Sequence, residues 1–298
     1  LRDAPRAFET KVAEVTKIIE FKQGLFTPYA YFHPQRHIRV LVHGVDFIGF
    51  GRRNYTAWFR DELSKYLIVQ DRGVLGPDTS QGDVQCMTIL NRIRLGRGKI
   101  LVTEKHHQLG AQAQASSKKV VTPGVRQSVV LDSPELDAEE SSRFRSATMR
   151  ATYLGLDRPE MQITCKEAVR RMSKPVFADW ETIKRIGRFV ARYPQVVWLC
   201  ARQGKVFAID GCSDSDWAGD LRDRRSTRSA ASMIGKHCIK AHSSSQDPIS
   251  LSSGEAEFYA AVKTAASGIG FVSLAADWGI ELKLHLWTDS SSAKGAAS

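Results

Sequence analysis

The spacing of apolar positions divides the chain into segments of different period. Phe8, Val12, Val15 and Ile19 recur at helical intervals and predict a helix over about Ala4 to Phe21. The period then shortens. Tyr29 to Phe32 and His37 to Val42 flank a turn at His33-Pro34-Gln35-Arg36 and read as a hairpin. After His43-Gly44 the chain is extended again through Asp46-Phe47-Ile48-Gly49-Phe50. Tyr55 to Ile68 returns to helical spacing through Trp58, Phe59, Leu63 and Leu67, and strand-like pieces follow at Met87 to Ile93 and Ile100 to Thr103. Residues 110–141 are rich in Gln, Ser, Ala, Pro and acids without sustained period, the composition of a linker. A helical block is expected from about Ser141 to Ala191, interrupted near Pro159 and Pro175. From about Val206 to Ser298 the pattern alternates: a strand into Ser213, two strands across Ser229 to Ala241, a helix from Ser253, and a strand from Leu284 to Trp287. The expected class is α/β (α+β).

Length and charge narrow this picture. A chain of 298 residues can bury more than one core, so two domains are expected. The formal net charge of +11 suggests a polyanionic partner, of which nucleic acid is the commonest, with a charged surface that serves solubility as the lesser alternative. Five cysteines, widely spaced and without a Cys-x-x-Cys pair, read as reduced and mostly core residues of an intracellular protein. His237 beside Cys238 and the pair His106-His107 lack partners at zinc-site spacing. No apolar run reaches the ~18 residues of a membrane span, so no membrane partner is expected. No signal peptide is visible, and the chain opens at Leu1, as a piece of something longer would.

Candidate chemistry concentrates in three acids. Asp214 lies near the end of a strand in Gly211-Cys212-Ser213-Asp214-Ser215-Asp216-Trp217, Glu257 follows Ser252-Ser253-Gly254-Glu255-Ala256, and Asp289 ends the apolar strand of Leu286-Trp287-Thr288. Two strand-end acids and one helix acid can converge on a pocket, where they repel one another unless divalent cations intervene, as in phosphodiester cleavage. Asp214 and Asp216 also suit an ordinary loop. A calcium loop starting at Asp214 fails, because its fifth position would be Ala218 and its twelfth Arg225. Ser252 and Glu255 have capping-box spacing, which explains Glu255 structurally. Glu257 lies ~200° further round the helix, serves no cap, and can point along the packed face, where an unpaired carboxylate is costly.

The run Ser213-Asp214-Ser215-Asp216-Trp217-Ala218-Gly219-Asp220, the run Asp223-Arg224-Arg225-Ser226-Thr227 and Leu251 to Glu257 resemble the RNase H domain of copia-type LTR retrotransposon Pol polyproteins. The resemblance implies that Asp214, Glu257 and Asp289 are catalytic, metal-binding carboxylates. With Mg²⁺ or Mn²⁺ in a two-metal site, they would cleave the RNA strand of an RNA–DNA hybrid. The family's fourth acid would lie beyond Ser298, and Arg228-Ser229-Ala230 departs from the family's usual Ser-Gly-Tyr.

The resemblance extends upstream. Leu1 to Phe8 is similar to the family's palm, and Tyr153-Leu154, Asp157-Arg158-Pro159-Glu160, Met172-Ser173-Lys174-Pro175 and Trp180 are similar to its thumb and connection. It implies a partial reverse-transcriptase palm over 1–109, a linker over 110–141, a helical thumb/connection region over 142–204, and an incomplete RNase H-like mixed sheet with flanking helices over 205–298. In the family, the hairpin after Arg39-Val40-Leu41-Val42 carries paired aspartates. Here Asp46 is the remaining catalytic and metal-binding candidate, because Val45 occupies the first position and offers no oxygen to a cation. Another palm acid would precede Leu1. Loss of polymerase activity is therefore expected, and Asp46 also suits a plain hairpin turn.

Lys184, Arg188 and Arg192, widened by Arg185, form a basic stripe that can follow a phosphate backbone or simply face solvent. Arg92, Arg94, Arg97 and Lys99 form a second basic cluster with the same two readings. The implied partners are an RNA–DNA hybrid, template-primer nucleic acid and the rest of the Pol polyprotein, in a cytoplasmic particle or the nucleus. A degenerate, non-catalytic nucleic-acid-binding remnant is the alternative.

Overall fold

The computed structural model describes residues 3–90, 92–95, 99–103, 119–125, 133–220 and 222–297. Among these the chain forms seven helices and three four-stranded sheets, a mixed α/β architecture.

Helix α1 (Ala4–Ile18) packs Val12 and Val15 against the first sheet, made of β1 (Lys22–Gln23), β2 (Ala30–His33), β3 (Ile38–His43) and β4 (Asp46–Phe50) in that order. All its pairings are antiparallel, and Tyr31, Ile38, Val40 and Val42 join the helix residues, Phe59 and Leu63 in one core. The helix is shorter than expected, because Glu20 turns into the left-handed region and sends buried Phe21 towards the sheet. His33, expected in the turn, is instead a buried β2 residue. Its ring lies edge-on to Phe21 and Trp58, and burial pulls its pKa below the ordinary histidine value. The second helix, α2 (Arg53–Leu63), starts and stops earlier than the spacing predicts.

The stretch expected as one strand over Met87 to Ile93 is two, β5 (Cys86–Ile89) and β6 (Arg92–Leu95), paired antiparallel; β7 (Lys99–Thr103) follows. Their sheet is completed by β8 (Gln195–Leu199), a strand that the helical reading of 142–204 did not anticipate. Val196, Val197, Trp198 and Leu199 are too few to declare a period, and their ladder partner lies far back in the chain. Half of the linker expected at 110–141, the His106-His107 pair, and Arg97 fall outside the described residues.

The helical block forms as expected, with breaks at both prolines. Helix α3 (Ala138–Gly155) is capped by Asp137, α4 (Pro159–Arg170) starts on its proline, and α5 (Asp179–Arg192) follows Pro175. Phe144, Ala151, Leu154, Met161, Ile186 and Val190 are among the residues that interlock as its core. Cys165 lies there too, its thiol pushed up to about 12 by burial. The expectation of mostly core cysteines is otherwise wrong: Cys86, Cys200 and Cys212 are exposed and Cys238 is half-buried, all of them free thiols.

The last block contains β9 (Ala208–Ser215), β10 (Thr227–Ile234), β11 (His237–Ser245), α6 (Ser253–Asp277), β12 (Lys283–Trp287) and α7 (Ser291–Ala297). Its sheet runs β11-β10-β9-β12. The first three strands form an antiparallel meander, and α6 is the crossover that returns β12 parallel to β9. Ala256, Ala260, Thr264 and Gly268, one helical turn apart, are the buried stripe of α6. Gly211 lets that stripe approach β9: a Cβ there would lie 2.9 Å from Thr264 Cγ2 and 3.2 Å from Leu286 Cδ2. By length and composition alone α6 could cross a membrane, which corrects the expectation that no apolar run reaches that length. In this fold it lies on a sheet.

At the far end of α6, the Asp277 carboxylate accepts hydrogen bonds from the Leu25, Phe26 and Thr27 N–H groups, and Trp278 O accepts one from Arg39 Nε. One helix thus touches both the first sheet and the last. Gly211→Val should force α6 off β9 and lower unfolding stability by about 1–3 kcal/mol, measured by denaturant titration; an unchanged midpoint would show that the close approach is not needed.

Candidate metal centre

Parallel pairing of β9 and β12 sets the geometry of the site. Trp287 is the register partner of Cys212, so Asp214, still paired within β9, and Asp289, two residues past β12, stand at the same end of the sheet. The third acid comes from the first turns of α6. There Ser252 Oγ accepts from the Glu255 N–H, and the Glu255 carboxylate reaches back to the Leu251 N–H, so Glu255 serves the cap as its spacing implied. Glu257 is left free to face β9, where its Oε1 accepts the Ser215 N–H at 3.0 Å.

Each of Asp214, Glu257 and Asp289 offers an oxygen within 4.8 Å of the other two. Asp214 and Asp289 are exposed, whereas Glu257 Oε2 is sealed from solvent and has no hydrogen-bond partner. A buried carboxylate oxygen without a donor is costly. Burial first, then the neighbouring charges of Asp214 and Asp289, push the Glu257 pKa above the ordinary glutamate value, against the lowering effect of the Ser215 N–H. A hard divalent cation takes oxygen ligands of this kind, and the orphaned Oε2 is the lone pair such an ion would satisfy. The donor set therefore fits the Mg²⁺ or Mn²⁺ implied by the sequence resemblance.

The other acids of the stretch have structural partners. Asp216 accepts the Thr227 N–H and closes the loop between them. Asp220 and Asp223 bind Arg170 of α4, each at 2.7 Å. The remaining candidates lie elsewhere. Asp46 is exposed at the tip of the β3–β4 hairpin, next to the two-residue turn in which Gly44 has φ +59°. No group of three metal-ligating side chains among the described residues includes it.

The α5 stripe is partly engaged. Lys184 and Arg188 share the Glu181 carboxylate at 2.9 and 3.2 Å, Arg185 donates to Thr122 Oγ1, and Arg192 donates to the Tyr193 hydroxyl. Arg92 pairs with Asp157 at 2.7 Å. Sequence reasoning missed Gln246, a fully buried amide behind the acids. It sits in Ser243-Ser244-Ser245-Gln246-Asp247-Pro248, a polar run that carries no periodic signal.

Comparison with known proteins bears on this arrangement. Over 173 residues, 56% of its length, the chain is 27% identical to the retrovirus-related Pol polyproteins from transposons RE2 and RE1 of Arabidopsis thaliana, covering 11% of each. Over about half its length the chain is thus homologous to retrovirus-related Pol polyproteins of transposons. It is also 32% identical over 127 residues to the uncharacterized mitochondrial protein AtMg00810 of Arabidopsis thaliana, covering 43% of this chain and 52% of that protein. A stretch of 118 residues is 30% identical to secreted RxLR effector protein 161 of Plasmopara viticola, covering 39% of this chain and 82% of the effector. The chain thus spans about a tenth of the Pol polyproteins it matches. No family model matches, and no solved structure matches.

The raised pKa of Glu257 makes a signed prediction. An acid raised in the folded state still holds its proton at a pH where the unfolded chain has released it. Glu257 therefore costs the metal-free fold nothing in acid, and progressively more as pH rises from the ordinary glutamate range through its own raised value. In Glu257→Gln, thermal melts without divalent cations should match the wild type at pH 4 and exceed it at pH 7. A gain that does not grow with pH would contradict the assignment.

Proposed function

We propose that this Pol chain is the reverse transcriptase/RNase H region of a copia-type element, in which residues 205–298 act as an RNase H-like unit on the RNA strand of RNA–DNA hybrids. The observation that carries the reading is the convergence of Asp214, Glu257 and Asp289, each with an oxygen within 4.8 Å of the others, together with the buried and unpartnered Oε2 of Glu257. The sheet order supports it, because the parallel β9–β12 pair brings two acids to one end of the sheet and the crossover helix delivers the third.

In this reading Asp214, Glu257 and Asp289 hold Mg²⁺ or Mn²⁺. Such ions, when bound, activate water and offset charge on a leaving oxygen in phosphodiester hydrolysis. The protein's part is orientation. Asp214 and Asp289 present exposed oxygens to the substrate side, and the Ser215 N–H fixes Glu257. The upstream residues then serve as a palm remnant over 1–109 and a helical thumb/connection over 142–204. Lys184, Arg185, Arg188 and Arg192 contact template-primer or hybrid phosphates. Glu181 tempers that contact by holding two of these cations.

A second reading, a nucleic-acid-binding remnant without catalysis, draws on the polymerase side. Asp46 stands at a hairpin tip beside Val45, which is 75% exposed and supplies no ligand oxygen. That observation touches only nucleotidyl transfer and leaves the three-acid cluster intact.

Hybrid cleavage separates the two readings. With Mg²⁺ or Mn²⁺ the wild type should shorten a labelled RNA strand paired to DNA, and Asp214→Asn should reduce the rate by at least about 100-fold; equal or absent cleavage in both proteins would sink the catalytic reading. Mn²⁺ should also raise the melting temperature of the wild type and not that of Asp214→Asn. Hybrid affinity should fall steeply with salt, and replacing Lys184, Arg188 and Arg192 together by Gln should shallow the slope by up to about 2–3 in log–log terms. An unchanged slope would remove α5 from the interface.

A further inference from the structure

Gln246 is fully buried in the segment that joins β11 to α6. Its Nε2 donates to Ser215 Oγ at 2.9 Å and to the Ala256 carbonyl at 2.8 Å, and its Oε1 accepts from Ser250 Oγ at 3.1 Å. Its own N–H donates to the Ser226 carbonyl at 2.8 Å. Both side-chain donors and the acceptor are thus occupied, the condition under which a buried amide is tolerated.

The identity of these partners matters more than their number. Ser215 immediately follows Asp214, and Ala256 immediately precedes Glu257. One amide group therefore ties together the two backbones that carry two of the three acids, and none of its hydrogen bonds goes to a carboxylate. Ser215 extends the tie. Its N–H holds Glu257 Oε1, and its hydroxyl donates towards the Thr227 and Asp216 carbonyls. On the other side, the Ser250 carbonyl accepts the Trp217 indole N–H at 3.1 Å, which joins the loop after Asp214 to the same network.

We propose that Gln246 is a positioning residue that holds the end of β9 and the first turns of α6 at the separation a cation needs, so that the acid cluster is formed before any cation arrives. The inference rests on the cation-binding reading of that cluster. Like charges on Asp214, Glu257 and Asp289 push strand and helix apart, and a neutral two-donor bridge behind them resists the separation without adding charge. No other common side chain does this here. Glutamate would lack donors and add a fourth negative charge, methionine would fill the space and leave Ser250 Oγ and Ser215 Oγ without this partner, and asparagine is one methylene short.

Mn²⁺ binding to the whole chain, followed by the paramagnetic resonance signal of the free ion, tests this apart from catalysis. Gln246→Met should retain a cooperative melt and bind Mn²⁺ at least about tenfold more weakly. Ser215→Ala, which leaves the Gln246–Ala256 bond in place, should lose part of that affinity, and the double variant should be no weaker than Gln246→Met alone. Val12→Ala, a buried change in the core of the first sheet, should lower the melting temperature without altering Mn²⁺ affinity. Wild-type affinity in both Gln246→Met and Ser215→Ala, or an equal loss in Val12→Ala, overturns the positioning role. If Gln246→Met does not fold, Ser215→Ala against Val12→Ala decides. A wild type with no Mn²⁺ binding that Asp214→Asn removes would instead overturn the cation reading itself, and the positioning role with it.

Discussion

Two acids from the ends of parallel strands and a third from a helix lie within 4.8 Å of one another, and the last block is arranged around holding them there. Carboxylates at such range oppose the contact that brings them together, so the separation of α6 from β9 must be set by something stronger than their repulsion. Close packing does part of this: small residues on α6 meet Gly211 where any side chain would intrude. Hydrogen bonds to neutral groups do the rest, through the Ser215 N–H on Glu257 and the Gln246 amide behind both elements. The result is an unpartnered buried oxygen that is poorly served by the protein and well suited to a cation.

The same helix connects distant parts of the molecule. Its first turns carry Glu257, and at its last residue Asp277 takes three backbone N–H groups of the loop before β2. Meanwhile Arg170 at the end of α4 holds Asp220 and Asp223 in the loop that follows Asp214. Both the first sheet and the helical region are therefore anchored to the block that carries the acids. A structural change in either has a covalent and hydrogen-bonded route to the cluster, through α6 in one case and through the loop in the other.

Wherever one element supplies its own pattern, the chain could be read directly. Phe8, Val12 and Val15 announce α1, Pro159 and Pro175 mark the breaks among α3, α4 and α5, and Ser252 with Glu255 marks the start of α6. Strands whose support comes from far away were harder. β8 has only five residues and gains its ladder from β7, while β5 and β6 are joined by only two residues, too few to interrupt the strand-like run from Met87 to Ile93. The Pro after His33 points to a turn, whereas its ring is buried between Phe21 and Trp58. Cysteine burial failed for a related reason: exposure on a strand depends on what covers that face, which composition does not specify.

What the sequence determined by itself was the identity of the three acids, because Asp214 lies near the end of one strand, Asp289 follows another that is apolar, and Glu257 falls off the register of its helix cap. These are local properties, written in spacing a few residues long. What only the tertiary structure decided was that the acids meet, that Glu257 Oε2 is left without a donor, and that Gln246 bridges the segments on either side of it. Those facts depend on the parallel register of β12 against β9 and on the depth at which α6 sits, and both arise from contacts between residues far apart in the chain.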